Sequence, residues 1–249
     1  TGLATVTYVF EGAMMHRDSL GTEQEIRPGA VNWMTAGKGI VHSERKPEAL
    51  KTETYVNHGL QLWCALPQEF EEVEPSFSHT AAADIPALEV QGMPVRVLVG
   101  EAFGARSPVP TLMETLYLDI ALPAGGRFEL PALAAERAIY AVGGDLRIEG
   151  QALPHYHMAV LPEGATVQIE AAQAQHLVVI GGAPLDGPRF MSWNFVSSRR
   201  ERILQAGEDW EAQRMGQVPG ETEFIPLPEH PFKTQRATSA VAPDSAKGA

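Results

Sequence analysis

Glycine and proline cut this chain into short, β-rich pieces along most of its length, and that rhythm is the strongest limit on what it can fold into. The 249 residues include 23 Gly and 19 Pro. Residues 5–10 (Thr-Val-Thr-Tyr-Val-Phe) are β-branched and aromatic and read as a strand, which Glu11 and Gly12 turn. Residues 14–17 and 23–26 read as a hairpin around Ser19, Leu20 and Gly21. Arg27, Pro28 and Gly29 lead into a strand over 30–34, and Gly37, Lys38 and Gly39 lead into another over 40–44. Residues 60–66 and 95–99 are further apolar strands. Short strands between such turns predict a β-barrel or sandwich.

The pattern then restarts. Residues 116–122, 137–142, 145–148, 158–161, 166–170 and 176–180 are strand-like, with turns at 123–126, 143–144, 149–150 and 162–164. The turn Arg27-Pro28-Gly29 before Ala30-Val31 is echoed by Leu161-Pro162-Glu163-Gly164 before Ala165-Thr166-Val167. This weak internal similarity predicts two copies of one barrel unit. The expectation is an all-β chain with an N-terminal barrel over 1–106 and a C-terminal barrel over 107–234. The junction is placed where Gly, Ser and Pro cluster, between 103 and 111.

One helix stands out late in the chain, over about 198–214. Ser197 or Ser198 is suited to cap it, and Ile203, Ala206 and Trp210 give it an apolar face. A late helix in an all-β chain packs back across a barrel. Residues 235–249 are Ala, Ser, Thr, Pro and Lys with almost no large apolar side chain, so a disordered tail is expected there.

The net charge of −12 argues against an electrostatic footprint for nucleic acid or an acidic membrane. No apolar run approaches the ~20 residues of a membrane helix. No signal peptide is visible, and the chain does not open with Met, which leaves room for an upstream segment. Cys64 is the single cysteine, so no internal disulfide forms and the balance leans toward the cytosol. It lies in an apolar run and is expected to be a buried, inert thiol. Gly37-Lys38-Gly39 lacks the spacing and the Ser/Thr of a phosphate-binding loop, and neither a zinc-type Cys cluster nor a nucleophile elbow is present.

His42 and Glu44 carry the chemistry. Two residues apart on a strand, they point the same way while Ser43 points opposite. An imidazole and a carboxylate on one face make half of a mixed nitrogen/oxygen metal site. They follow a Gly-rich turn and the apolar pair Ile40-Val41, so their face is expected to be a barrel wall, where such groups need a partner.

Residues 28–44 (Pro-Gly-Ala-Val-Asn-Trp-Met-Thr-Ala-Gly-Lys-Gly-Ile-Val-His-Ser-Glu) resemble the signature of the pirin family, bicupin proteins of the cupin superfamily. The resemblance extends to residues 5–8, 16–19, 58–63 and 181–185 and runs from Thr1 to roughly Leu227. It implies two tandem cupin (jelly-roll) β-barrels face to face, a helix returning toward the N-terminal barrel, and one mononuclear metal, usually Fe(2+), in that barrel. The family holds its metal with three histidines and a glutamate. The last two fall on His42 and Glu44. The first two belong to a His-Pro-His triplet that in the family immediately precedes the residue matching Thr1, and no such triplet stands here. The reading adopted is a chain that starts just after it; a metal-free pirin is the alternative.

The resemblance implies a quercetin 2,3-dioxygenase-type oxidoreductase. Glu44 would take the proton of the flavonol 3-hydroxyl and, with His42, bind the metal. The partners are then a small aromatic substrate and O2, in a cytoplasmic monomer with no direct nucleic-acid or membrane contact. Two other readings stand beside it: an iron-dependent, redox-sensing module that binds a protein partner in transcriptional or metabolic regulation, and a structural bicupin whose site has decayed. Among the remaining histidines, His16 is expected to be hydrogen-bonded and structural. His58 and Gln61 are candidates to orient Glu44 or touch substrate. His155 and His157 share i, i+2 spacing in the second barrel without a third ligand nearby, and His79 and His230 carry no supporting context.

Overall fold

Strand residues 3–9 are buried on both faces, and this double burial organises the molecule. Ala4, Val6 and Tyr8 point one way into apolar packing, while Thr5 and Thr7 point the other way into a polar barrel interior. A strand that must satisfy two different environments carries alternating apolar and Thr side chains, as this one does.

The computed structural model describes residues 1–228 and the backbone of 235–237. In the first half the strands are β1 (Leu3–Glu11), β2 (Met14–Asp18), β3 (Glu23–Ile26), β4 (Val31–Thr35), β5 (His42–Arg45), β6 (His58–Ala65), β7 (Ser76–Thr80), β8 (Ala87–Val90), β9 (Met93–Val99), β10 (Glu101–Ala102) and β11 (Ala105–Arg106). The second half holds β12 (Thr115–Leu122), β13 (Arg127–Leu130), β14 (Glu136–Ala141), β15 (Leu146–Ile148), β16 (Gln151–Leu153), β17 (Met158–Leu161), β18 (Val167–Ala171), β19 (Gln175–Gly182), β20 (Arg189–Ser192), β21 (Phe195–Ser197), the helix α1 (Arg200–Glu211) and β22 (Gln235–Ala237).

The N-terminal barrel joins the sheet β6-β1-β4-β7 to the sheet β3-β2-β5. The C-terminal barrel joins β17-β14-β19-β12-β9-β8 to β13-β18-β15-β16. Its interior is filled by apolar side chains such as Leu118, Ile120, Phe128, Leu130, Ile139 and Ile169. Fully burying one of these contributes about 1.5–3 kcal/mol. The largest sheets of the two barrels meet through a second apolar layer, in which Val6, Tyr8, Val31 and Trp33 pack with Leu98, Val99, Tyr117 and Val178. The chain is therefore all-β with tandem cupin barrels, as expected.

Three details differ from the sequence reading. Although β8 and β9 precede the expected junction at 106/107, they hydrogen-bond into the second barrel's sheet, with Val97 opposite Leu118 and Val95 opposite Ile120. The Gly, Ser and Pro cluster at 103–111 thus holds the turn and second strand of the short β10–β11 hairpin and the irregular chain that leads into β12, rather than the divide between sheets. Helix α1 starts at Arg200 behind Arg199, which is extended and makes no side-chain cap. Both expected caps are engaged elsewhere: Ser198 binds Glu71 through N–H and hydroxyl, and Ser197 Oγ donates to Glu71 while accepting from Arg199 N–H. At the C-terminus, Gln235–Ala237 pair with β20, so the expected tail is not uniformly irregular. Residues 238–249 and His230 lie outside the described residues.

Gly37 shows why the Ala-Gly turn before β5 needs glycine. Its φ is +49°, and a Cβ there would lie 2.0 Å from the Val73 carbonyl oxygen. The turn continues through Val41, whose N–H donates to Ser19 Oγ at 3.2 Å and whose carbonyl accepts from Ser19 N–H at 2.8 Å. Ile40 and Val41 precede β5, which begins at His42.

Candidate active site

The antiparallel register sets Glu44 opposite His16 and His42 opposite Asp18. Along β5 the side chains alternate as the sequence predicts. His42 and Glu44 share one face, while Ser43 and Arg45 on the other bind Glu221.

Glu44 Oε1 accepts from Gln61 Nε2 at 2.7 Å, and the same nitrogen donates to Thr7 Oγ1 at 3.1 Å. Enclosure by the surrounding protein raises the Glu44 carboxyl above its ordinary range, against the opposing effects of His16 and the Gln61 hydrogen bond. His42 is lowered to about 4, first by desolvation and then by the neighbouring His16, so its imidazole is neutral at pH 7. Both residues are exposed by area because they open onto a cavity. Their shifts therefore belong to a wet, walled site and not to a dry interior.

His16 is structural, as expected. It is 3% exposed, its Nε2 lies 3.1 Å from Asp18 Oδ2, and its ring stacks on Phe77 at 4.4 Å and on His42 at 5.8 Å. Asp18 in turn accepts from the N–H groups of Leu20 and Thr22 and so fixes the hairpin turn. Of the pair suggested to support Glu44, Gln61 does so, while His58 packs its ring 5.2 Å from Phe10. His79 holds Asn32 Oδ1 at 2.7 Å. His155 binds the Val142 carbonyl and His157 the His155 carbonyl, on a turn outside the apolar interior of the second barrel. Cys64 packs in the layer between the barrels, and burial pushes its thiol up to about 11, which makes it a poor nucleophile at neutral pH.

The cavity has a volume of about 600 Å³, and its lining includes Met34, His42, Glu44, Trp193, Trp210 and Phe224. Trp193 and Trp210 have ring centroids 5.0 Å apart, and Phe224 stacks on Trp210 at 5.2 Å with planes 24° apart. Sequence reading placed Trp210 on the packing face of α1 and did not single out Trp193 or Phe224. A tryptophan just before β21 and a phenylalanine in irregular chain have no periodicity to mark them.

The donors present do not complete a metal site. His42 and Glu44 are a pair, and among the described residues no group of three or more His, Cys, Asp or Glu side chains is arranged to hold an ion. His16, the next imidazole, is held by Asp18 and stacked flat between two rings.

Residues 1–64 match the family described as Pirin, and residues 117–216 match the Pirin C-terminal cupin domain. A pirin-like protein of Caulobacter vibrioides is 47% identical over 231 residues, covering 92% of this chain and 79% of that protein. Human pirin is 36% identical over 223 residues, covering 86% and 75%. The crystal structure of a quercetin 2,3-dioxygenase from Acinetobacter baumannii superposes with a TM-score of 0.87 at 33% identity, covering 95% of this chain and 79% of that one. With the motif that carries His42 and Glu44 leading into β5 of the first of two cupin barrels, these matches settle the family: the chain is a pirin.

Proposed function

We propose that this pirin is a metal-dependent dioxygenase of flavonols of the quercetin type, the substrate class for which its Acinetobacter neighbour is named. One observation carries the reading. Glu44, with raised proton affinity and one oxygen tied to Gln61, opens beside neutral His42 onto a cavity with an aromatic wall. A flavonol is flat and bears an acidic hydroxyl next to a ring ketone, so it needs an aromatic slot and a base at its polar edge.

The 3-hydroxyl of the flavonol meets Glu44, which takes its proton and leaves an electron-rich oxyanion, the form that reacts with oxygen. Gln61 holds Glu44 Oε1 and leaves the other carboxylate oxygen for the ligand. The aromatic wall fixes the ring plane and displaces water from it. Across the whole reaction both atoms of O2 enter the ring fragments, and one ring carbon leaves as carbon monoxide.

The pirin and quercetinase relatives imply a metal cofactor, and ferrous iron is the metal we propose; when bound it supplies the activation of oxygen. Toward it this chain offers His42 and Glu44, which do not complete a coordination shell. We place the protein in the cytoplasm, a reading supported by its single free thiol, and as a monomer, since the two barrels bury each other's large sheets. Among the described residues no helix is long and apolar enough to cross a membrane.

The test is oxygen uptake and carbon monoxide release with quercetin and ferrous iron in excess. One CO per O2 is expected, and Glu44→Gln is expected to lower the rate about 100-fold or more, the range of a lost general base. No CO from the iron-supplied wild type, or undiminished turnover in Glu44→Gln, rejects the proposal.

A further inference from the structure

β5 is an edge strand of four residues, and among the described residues its ladder runs to β2 alone. One short antiparallel pairing is a weak hold on a strand that carries His42 and Glu44. Those two side chains use one face of β5. The other face is held from outside the barrel, by the segment that follows α1. Ser43 Oγ donates to Glu221 Oε1 at 2.6 Å. Arg45 donates to Glu221 Oε2 from Nε at 3.0 Å and from Nη2 at 2.7 Å, and from Nη2 to Glu223 Oε2 at 2.6 Å. Both carboxylate oxygens of Glu221 are therefore engaged, and its side chain is 16% exposed. Arg17, opposite Ser43 on β2, adds its charge in the same sense as Arg45.

Residues 213–225 carry no helix or strand, so the place of Glu221 depends on how the segment is anchored. Both its ends are tied to α1. The N–H groups of Gln213 and Arg214 donate to the carbonyls of Trp210 and Asp209, and Trp210 Nε1 donates to the Ile225 carbonyl at 2.8 Å, which closes the segment into a loop on the end of the helix. On the way Gly216, at φ +94°, lies against Ser19, whose Cβ would stand 3.4 Å from a Cβ at that position. Ser19 is the residue that binds the Val41 backbone just before β5. The loop thus meets the β2–β3 turn at one point and the outer face of β5 at another. An ion pair on a free tail adds little, whereas a carboxylate on a loop closed at its base arrives already placed and loses less freedom in binding.

We propose that Glu221 is a positioning residue for His42 and Glu44: carried on a loop closed against α1, it clamps the outer face of β5 through Ser43 and Arg45 and so fixes the strand whose opposite face presents the pair. The inference rests on the dioxygenase reading for what the pair does, and adds what holds it in place.

Two measurements on the full chain test it: hydrogen–deuterium exchange over residues 42–45, and carbon monoxide release from quercetin with ferrous iron in excess. In Glu221→Ala the amides of 42–45 are expected to exchange at least about tenfold faster, as an edge strand loses its outer support. Its kcat is expected to fall at least about tenfold, the scale of a misplaced reacting group, with KM within about twofold. The melting temperature should move by no more than about 3 °C, since the pairs broken are partly exposed. Glu221→Gln, whose amide still accepts from Arg45 and reaches Ser43, is expected to recover both readouts to within about threefold of wild type. Should Glu221→Ala melt earlier than that, Ser43→Ala, which removes one oxygen of the clamp, decides by the same two readouts. Faster exchange confined to 213–225 overturns the proposal, because the loop is then merely anchored on the barrel. So does a change in exchange without a change in kcat, or the reverse. A wild type that releases no carbon monoxide defeats the dioxygenase reading, and exchange over 42–45 then decides the clamp alone. Turnover with unaltered exchange and kcat in Glu221→Ala defeats the clamp and leaves that reading standing.

Discussion

Gln61 Nε2 donates to Glu44 Oε1 at 2.7 Å while holding Thr7 Oγ1 at 3.1 Å. The amide stands between Thr7 of β1 and the Glu44 carboxylate and is fixed by both. A donor to a carboxylate favours the ionised form, so removing it raises the carboxyl further. In Gln61→Leu the acid limb of the pH–rate profile with quercetin is therefore expected to move to higher pH. The rate should fall about 10-fold, the scale of a hydrogen bond to a charged group, with kcat affected more than KM. An unshifted acid limb would remove Gln61 from this role.

Two donors on one face make a weak metal site. Titration of this chain with ferrous iron under anaerobic conditions is expected to show no saturating site tighter than about micromolar, because tight zinc and non-haem iron sites take three or more protein ligands and this chain offers two. His42→Ala and Glu44→Ala should each abolish what weak binding there is. A tight, stoichiometric site unaffected by either substitution would show that other side chains hold the ion.

Arg189 and Glu71 form a nearly solvent-free ion pair between the N-terminal barrel and the β20–β21 hairpin. Arg189 Nε lies 2.7 Å from Glu71 Oε1, and the two side chains are 1% and 2% exposed. Arg189 also donates to the carbonyls of Leu66 and Gly187. Glu71 accepts from Ser197 and Ser198. Arg189→Met is expected to cost about 3–5 kcal/mol in urea unfolding, because it leaves a buried carboxylate without its charge partner. A loss below about 1 kcal/mol would mean that the serines alone suffice for Glu71.

His176 Nδ1 lies 2.8 Å from Asp119 Oδ1, and Tyr8 donates its hydroxyl to the other Asp119 oxygen at 2.8 Å across the two barrels. The Asp119 hydrogen bond raises the His176 pKa above its ordinary value, against the opposing desolvation. The stabilisation is therefore fully present below the unfolded imidazole value of about 6.5 and fades as pH rises through the higher folded value. Wild type minus His176→Gln is expected to show a stability difference at pH 5.5 that shrinks by pH 8.5 in chemical denaturation. A difference that grows with pH would reverse the sign of this linkage.

Local chemistry along the chain announced much of this protein. The Gly and Pro rhythm and the β-branched runs fixed short strands, and their restart fixed two barrels, because turn chemistry and strand propensity act over a few residues. Alternation along β5 put His42 and Glu44 on one face and Ser43 on the other for the same reason. The strand Ser76–Thr80 escaped that reading because its inward-facing residues include His79, which serves Asn32 in place of an apolar core. What the fold alone decided involves partners far apart in sequence. Gln61 reaches Glu44 across 17 positions, Ser43 reaches Glu221 across 178, and Glu71 lies 118 residues before Arg189. Nothing in the periodicity of 213–225 marks its contact with β5, since its place depends on where α1 releases the chain and on Ser43 and Arg45 facing outward to bind Glu221. The sequence by itself determined the family and put His42 and Glu44 on one strand face; the tertiary structure decided which distant groups meet them, because such contacts are a product of packing and not of local pattern.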